Sequence, residues 1–281
     1  MNGILIVNKG ANVTSRDVVN DLVHIFHTKK IGHTGTLDPL ATGVLVCTIG
    51  KYTKLNLDLT SEYKEYVAEM KLGVLTDTLD ITGEVLEEKE VTSSEEKIRE
   101  TILSFKKKYM QEVPLYSSVK INGKKLYDYA RSGESVELPS REVDIKEIEV
   151  LSISDNIIKF RCLVSKGTYI RSLIRDIGVT LGCNATMTSL IRTKQGKFDI
   201  KDSYTIEDIK DNKYKILSVE EVLDLDIVTA SDKLYHLINN GVAIEYNSNK
   251  EFILFRYNFE DISLYKLGDD NKYHMYIKYN E

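Results

Sequence analysis

The 281-residue chain has no tryptophan, three prolines and three cysteines. Cys47, Cys162 and Cys183 are odd in number, far apart and without a C-x-x-C pair. This argues against a disulfide framework or a zinc cluster and for three buried thiols. The five histidines form no H-E-x-x-H, and His24 and His27 read as ordinary residues of one helix, so no metal site is expected. Prolines this few, with 42% apolar and 29% charged residues, exclude collagen and disordered chains and leave a globular protein of one large or two unequal domains. Apolar runs such as Val44-Leu45-Val46-Cys47 fall far short of the ~20 residues of a membrane helix. The opening MNGILIVNKG has neither the basic start nor the apolar length of a signal peptide. A cytoplasmic protein beginning near Met1 and making no membrane contact is therefore expected.

The net charge of −5 and a pI near 5.7 argue, taken whole, against a nucleic-acid binder. The distribution argues the other way. Residues 151–200 hold eight Lys or Arg against three Asp, and smaller basic clusters stand at Lys106-Lys107-Lys108 and Lys124-Lys125. A basic stripe on an acidic body suits a focused polyanion site, although a charge run is more often a solvated face.

An apolar run, Ile4 to Val7, predicts a strand. Thr14 or Ser15 then caps a helix to about Thr28, with Val18, Val19, Leu22, Val23 and Phe26 on its inner face. Residues 32–43, GHTGTLDPLATG, are too rich in Gly, Thr, Asp and Pro for regular structure and predict a shaped functional loop. Alternation from Tyr66 to Leu72 and from Ile158 to Val164 predicts two half-buried strands. A helix capped by Ser93 or Ser94 is predicted over 94–108. Another carries the stripe Ile170, Leu173, Ile174, Ile177, Leu181 and ends at Gly182, with Arg171 and Arg175 on its flank. An acidic helical stretch, Ile206 to Leu223, reads as a connector, and short β-like runs follow between Phe252 and Ile277. Strands and helices intermix without a βαβ rhythm. The fold class is α+β, with a large mixed or antiparallel central sheet flanked by helices over 1–223 and a small all-β domain over 224–281.

Within the loop, Asp38 lies between Leu37 and Pro39, with glycines nearby that allow close approach of a ligand. A P-loop does not fit, because Gly43 and Gly50-Lys51 are wrongly spaced and Tyr52 stands where Ser or Thr would hold magnesium. No second carboxylate stands at a spacing that marks a paired-acid glycosidase. A lone carboxylate with cationic and aromatic helpers suits a nucleophile or an electrostatic anchor. On spacing alone Asp38 reads first as a turn former.

KIGHTGTLDPLATGVLVCTIGKYTKL (30–55) resembles the signature of the TruB family of tRNA pseudouridine synthases. Three further blocks resemble that family in order: YVAEMKLGVLTDTLDITG (66–83), PLYSSVKINGKKLYDYARSG (114–133) and SKGTYIRSLIRDIGVTLGCNATMTSLIRT (165–193). The resemblance implies the pseudouridine synthase fold with a PUA-like C-terminal domain, and a tRNA-contacting insertion over about 105–140. The reaction it implies is isomerisation of uridine 55 in the T-loop of tRNA, without cofactor, metal or guide RNA; a monomer is expected. The family's catalytic aspartate falls on Asp38, acting at C1′ or C6 of the nucleoside or through elimination of the base to a glycal.

By the same resemblance Arg171 pairs with Asp38, supplying the charge a nucleophilic carboxylate needs where burial favours its neutral form. Tyr66 stacks on the extruded uracil and helps to move the C5 proton, Tyr169 and Leu190 line the pocket, and His33 fills the space left by the flipped base. Lys9, Lys120, Lys124, Lys125 and Arg131 are candidate phosphate contacts. Read without the family, each has a plainer role: Arg171 as a solvated flank residue, Tyr66 and Leu190 as core, His33 as a turn residue, the cations as solubilising charge. Gly10 follows Lys9 where the family has Pro, and the C-terminal segment is acidic, which weakens any phosphate grip there. The same surface also suits a non-catalytic tRNA-binding chaperone, though a binder has no use for a nucleophile.

Overall fold

The computed structural model describes residues 1–60 and 63–279. Its centre is a mixed sheet in the strand order Gly3–Lys9, Thr42–Ile49, Ala185–Gln195, Tyr63–Leu72, Ile157–Ser165, Ser140–Ser154, Lys108–Glu112. Along this order every neighbouring pair is antiparallel except one. Thr42–Ile49 meets Ala185–Gln195 in a short parallel contact, Ile191 beside Thr42 and Arg192 beside Gly43. The alternation expected from Tyr66 to Leu72 is the observed strand, with Tyr66, Ala68, Met70 and Leu72 buried. These residues and Phe160, Cys162 and Val164 face the helix Ile170–Leu181, which packs Leu173, Ile174 and Ile177 onto the sheet. Gly182 ends that helix in the left-handed conformation.

The helix Ser15–Phe26 is capped by Thr14 in a capping box with Asp17, and its Val18, Val19 and Leu22 join the core beneath the edge strand. The second predicted helix is shorter than 94–108. It runs Glu95–Ser104 from a Ser94 cap, and Lys108 already belongs to the outer strand. The stretch leaving the sheet is therefore 113–139, between strands joined by the pairing Glu112 to Ser140. The connector is broken rather than continuous, with helices Ile206–Lys210 and Val219–Val222 and single bridges from Tyr204 and Leu217 to the edge strand. Those bridges cover an edge that would otherwise expose unpaired backbone.

A second sheet follows, of strands Leu225–Thr229, Phe252–Tyr257, Glu260–Leu267 and Tyr273–Lys278. Its two faces obey the strand period of two. Phe252, Leu254, Leu264 and Ile277 share a core with Ile4, Ile6, Val44 and Val46 of the main sheet. Ile253, Phe255, Tyr265 and Tyr273 pack instead around the helix Asp232–Asn239, an addition to the β domain expected from the sequence. Polar contacts reinforce the junction: Asp58 accepts from Lys266 Nζ at 2.5 Å and from the Tyr276 hydroxyl at 2.8 Å. No helix among the described residues is long and apolar enough to cross a membrane.

Candidate active site

The 32–43 segment is loop only in its middle. Gly32 and His33 lie in the strand Ile31–His33, and Thr42 and Gly43 open the next strand, leaving residues 34–41 to carry Asp38. The loop is pinned on both sides of the carboxylate. Buried Ser15 donates from Oγ to the Leu37 carbonyl at 3.1 Å and accepts from the Leu37 N–H at 2.9 Å. On the other side the Pro39 carbonyl accepts from Asn12 N at 2.9 Å and Lys9 Nζ at 3.2 Å. Gly43 is required by geometry: its φ is +100°, and a Cβ there would stand 2.3 Å from the Arg192 carbonyl oxygen.

This setting corrects the reading of Lys9 as a phosphate contact. Lys9 is fully buried, and its ammonium donates to the carbonyls of Gly10, Val13 and Pro39 at 2.9, 2.6 and 3.2 Å. All three donors are in use, so no phosphate has access to them. Burial lowers its pKa to about 8, with Asp38 opposing the shift. Lys9→Met strands three carbonyls, and at ~1 kcal/mol or more for each unmet buried acceptor it is expected to cost about 3 kcal/mol. Urea unfolding against wild type measures this, and a cost below about 1 kcal/mol would remove Lys9 as the brace of the loop.

Asp38, about one-third exposed, faces Arg171, which is almost wholly buried, in the first turn of the helix Ile170–Leu181. Arg171 Nε lies 2.9 Å from Asp38 Oδ2, a close ion pair rather than an aligned hydrogen bond. The rest of the guanidinium is clamped: Nη1 donates to the Thr78 carbonyl and Nη2 to the Tyr116 carbonyl, both at 3.0 Å. Asp80 Oδ2 stands 3.9 Å from Nη1, while its Oδ1 accepts from Thr78 Oγ1 and from Thr82 N and Oγ1. Between Thr78 and Asp80, Leu79 sits at φ +64°, a costly conformation for a bulky residue, and that turn aims both neighbours at the guanidinium.

The pair opens into a cavity of about 650 Å³ whose wall includes Tyr66, Tyr169, Leu190, Lys64 and Arg192. Tyr66 is buried, and burial pushes its phenol pKa up against the opposing pull of Arg192, so the hydroxyl is protonated at neutral pH. Leu190 is both core and cavity wall. Tyr169 caps the Arg171 helix, with its N–H donating to buried Gln111 Oε1 at 2.8 Å and Arg141 stacked 5.6 Å from its ring. His33 stands outside this wall, half-buried, its pKa lowered first by burial and then by Arg192 and Arg16, hence neutral near pH 7. Its buried Nδ1 has no partner.

The remaining predicted cations sit on the excursion 113–139. Lys120, Lys124 and Lys125 occupy its small hairpin and Arg131 its helix Leu126–Ser132. Lys124 pairs with Glu134 at 2.7 Å and lies over the Tyr129 ring, while Lys125 and Arg131 flank Tyr127, which reaches the cavity. The excursion thus brings Tyr116, Ser117, Ser118 and Tyr127 to the cavity wall, with Lys125 and Arg131 beside Tyr127. Sequence reasoning did not single out Asp80, Lys64, Arg192 or Gln111. Three of these sit in or beside quoted blocks, but a buried Arg in an alternating strand looks like any surface charge until its neighbours are known.

Comparison with known proteins agrees with this architecture. A solved structure described as a Cbf5-Nop10-Gar1 complex superposes with a TM-score of 0.69 at 25% identity, covering 98% of this chain and 85% of that one. The family model described as TruB family pseudouridylate synthase (N terminal domain) matches residues 23–170, and the tRNA pseudouridylate synthase B C-terminal domain matches 171–232. The fold is that of a pseudouridine synthase. A protein of Clostridium acetobutylicum named tRNA pseudouridine synthase B is 46% identical over 87% of this chain and 86% of its own length. A Fusobacterium nucleatum protein of the same name is 40% identical over 96% of this chain and 97% of its own. The chain belongs to the TruB family of pseudouridylate synthases.

Proposed function

We propose that this enzyme converts uridine 55 in the T-loop of tRNA to pseudouridine, acting alone and without a guide RNA, with Asp38 as the covalent catalyst. The single observation that carries the reading is the Asp38–Arg171 pair, a reactive-type carboxylate held at 2.9 Å by a clamped guanidinium at the edge of a nucleotide-sized cavity. The relatives at 40–46% identity are named as tRNA enzymes, which supports tRNA as substrate. Lys125 and Arg131, beside the cavity residue Tyr127 on the excursion 113–139, support contacts to an RNA backbone near the cleft.

In this reading the base leaves the T-loop stack, and the uracil enters between Tyr66 and Leu190. Asp38 attacks C1′, adds to C6, or assists elimination of the base to a glycal. The N1–C1′ bond breaks, the base turns over and C5 joins C1′, any bond to Asp38 breaks to return the carboxylate, and C5 gives up its proton while N1 gains one. A protonated Tyr66 suits stacking and hydrogen bonding, and it serves as proton acceptor only after its own proton has moved. Tritium release from a T-arm stem-loop labelled at C5 of the target uridine tests the whole. Release by wild type supports the reading. Tight binding without release, from both the stem-loop and full-length tRNA, would shift it to a chaperone.

His33 is neutral and lies close to the active loop, suited to stacking where the flipped base was. At ~1–3 kcal/mol for one base stack, His33→Ala is expected to slow single-turnover release about tenfold while leaving the Asp38 chemistry possible. An unchanged rate would remove His33 from the site.

A further inference from the structure

We propose that Lys64, backed by Arg192, forms an anion subsite that takes a backbone phosphate next to the flipped uridine, an assignment that rests on the RNA-modifying reading above. Lys64 lies two residues before Tyr66 on one strand, so both side chains leave the same face and enter the cleft. It meets Arg192 across the cavity wall at Gly35. A Cβ on Gly35 would stand 3.6 Å from Lys64 Nζ and 3.7 Å from Arg192 Nη1, so two cations flank one small residue.

Neither cation has an acid. Arg192 is 1% exposed and spends its donors on the carbonyls of Val44, Gly35 and Thr36 at 2.6, 2.9 and 3.5 Å. Lys64 has no ion pair among the described residues, and the charges that act on it are Arg192 and Lys166, both positive. The carboxylate on the adjoining loop, Asp38, is held by Arg171. Two other partly buried cations show the contrast: Arg161 is neutralised by three glutamates and Arg175 by Glu112 and Asp176. An uncompensated, half-buried cation pair is unfavourable in the free enzyme and is relieved by an incoming anion. Burial together with Arg192 and Lys166 already lowers Lys64 to about 8, and a bound phosphate reverses that. Uracil offers only neutral carbonyls here, whereas a phosphodiester offers a full charge for the Lys64 ammonium to bind directly, with the enclosed Arg192 guanidinium adding its field from behind.

The test uses the full chain and T-arm stem-loops in which single linkages around the target uridine are replaced by neutral methylphosphonate. One linkage is expected to raise the wild-type KM about tenfold, as for a lost charge-assisted hydrogen bond, with kcat within twofold. Lys64→Met is expected to show the same rise on unmodified RNA and to lose nothing further at that linkage. Wild-type KM rises above pH 8 as Lys64 loses its proton, and Lys64→Arg flattens the rise. Should Lys64→Met not fold, Lys64→Gln replaces it. The proposal is overturned if every linkage tolerates neutralisation, if KM stays unchanged in the Lys64 variants, or if they lose kcat and still pay tenfold at the neutral linkage. The last outcome would make Lys64 a proton carrier to the base. A wild type that neither binds nor converts unmodified RNA would instead sink the substrate reading itself.

Discussion

Asp38→Asn is expected to lower turnover by at least about 10⁴-fold, the scale on which enzymes lose rate when a covalent catalyst is removed. Asparagine keeps the shape of the side chain but has no anionic oxygen to attack carbon. The fold should barely notice. Asp38 is one-third exposed, its loop is pinned through backbone atoms of Leu37 and Pro39, and a partly exposed pair contributes about 1 kcal/mol or less. RNA affinity should stay within about threefold, because the cations proposed as phosphate contacts lie elsewhere and such contacts dominate affinity. The check is C5 tritium release under single-turnover conditions beside a filter-binding titration. Release within tenfold of wild type, with normal binding, would falsify Asp38 as the catalyst.

Arg171→Met has the second largest expected effect, and it acts on stability and rate together. The arginine serves four groups: Asp38, Asp80 and the carbonyls of Thr78 and Tyr116. Methionine fills the volume but leaves two carbonyls unmet and the Asp80 carboxylate without its nearest cation. Breaking a buried ion pair from one side costs about 3–5 kcal/mol, and the exposure of Asp38 places this case near the lower end. Roughly 3 kcal/mol corresponds to a fall in Tm of several degrees for a chain of this size. Turnover should fall at least about 10³-fold, because Asp38 loses both its counter-charge and its orientation. Thermal unfolding followed by circular dichroism, with single-turnover release, measures both. Arg171→Lys separates them: a lysine recovers part of the stability but cannot bridge Asp38 and two carbonyls, so its rate should stay low. Full recovery of rate by lysine would reduce Arg171 to a simple counter-charge.

Much of this arrangement is legible in the sequence. Thr14 with Asp17 announced a capped helix, alternation from Tyr66 announced a buried strand, and Gly182 announced the end of the Arg171 helix. Each of these signals is local, set by side chains within one or two turns of chain. The ordered blocks around Asp38, Tyr66 and Arg171 then implied the reaction by resemblance. Lys9 was misread for a matching reason. A lysine beside a glycine-bearing loop reads as solvent-facing, and only the return of Pro39 over the strand end shows that its ammonium is enclosed. The helix predicted to 108 overran because Lys106 to Lys108 are good helix formers, while the outer strand claims Lys108 through pairing with Asp144.

By itself, the sequence determined the periodicities, the caps, the loop that bears Asp38 and the family to which the chain belongs. Those follow from short-range chemistry and from blocks of residues in a set order. Tertiary structure alone decided which charges meet. Asp38 and Arg171 are far apart in the chain, yet the loop and the helix N-terminus converge over one face of the sheet to within 2.9 Å. The short parallel contact of Arg192 with Gly43 likewise turns an ordinary strand arginine into a buried cation beside Lys64. An ion pair or an unpaired cation is a property of distance and dielectric, and neither is written in the spacing of residues along a chain.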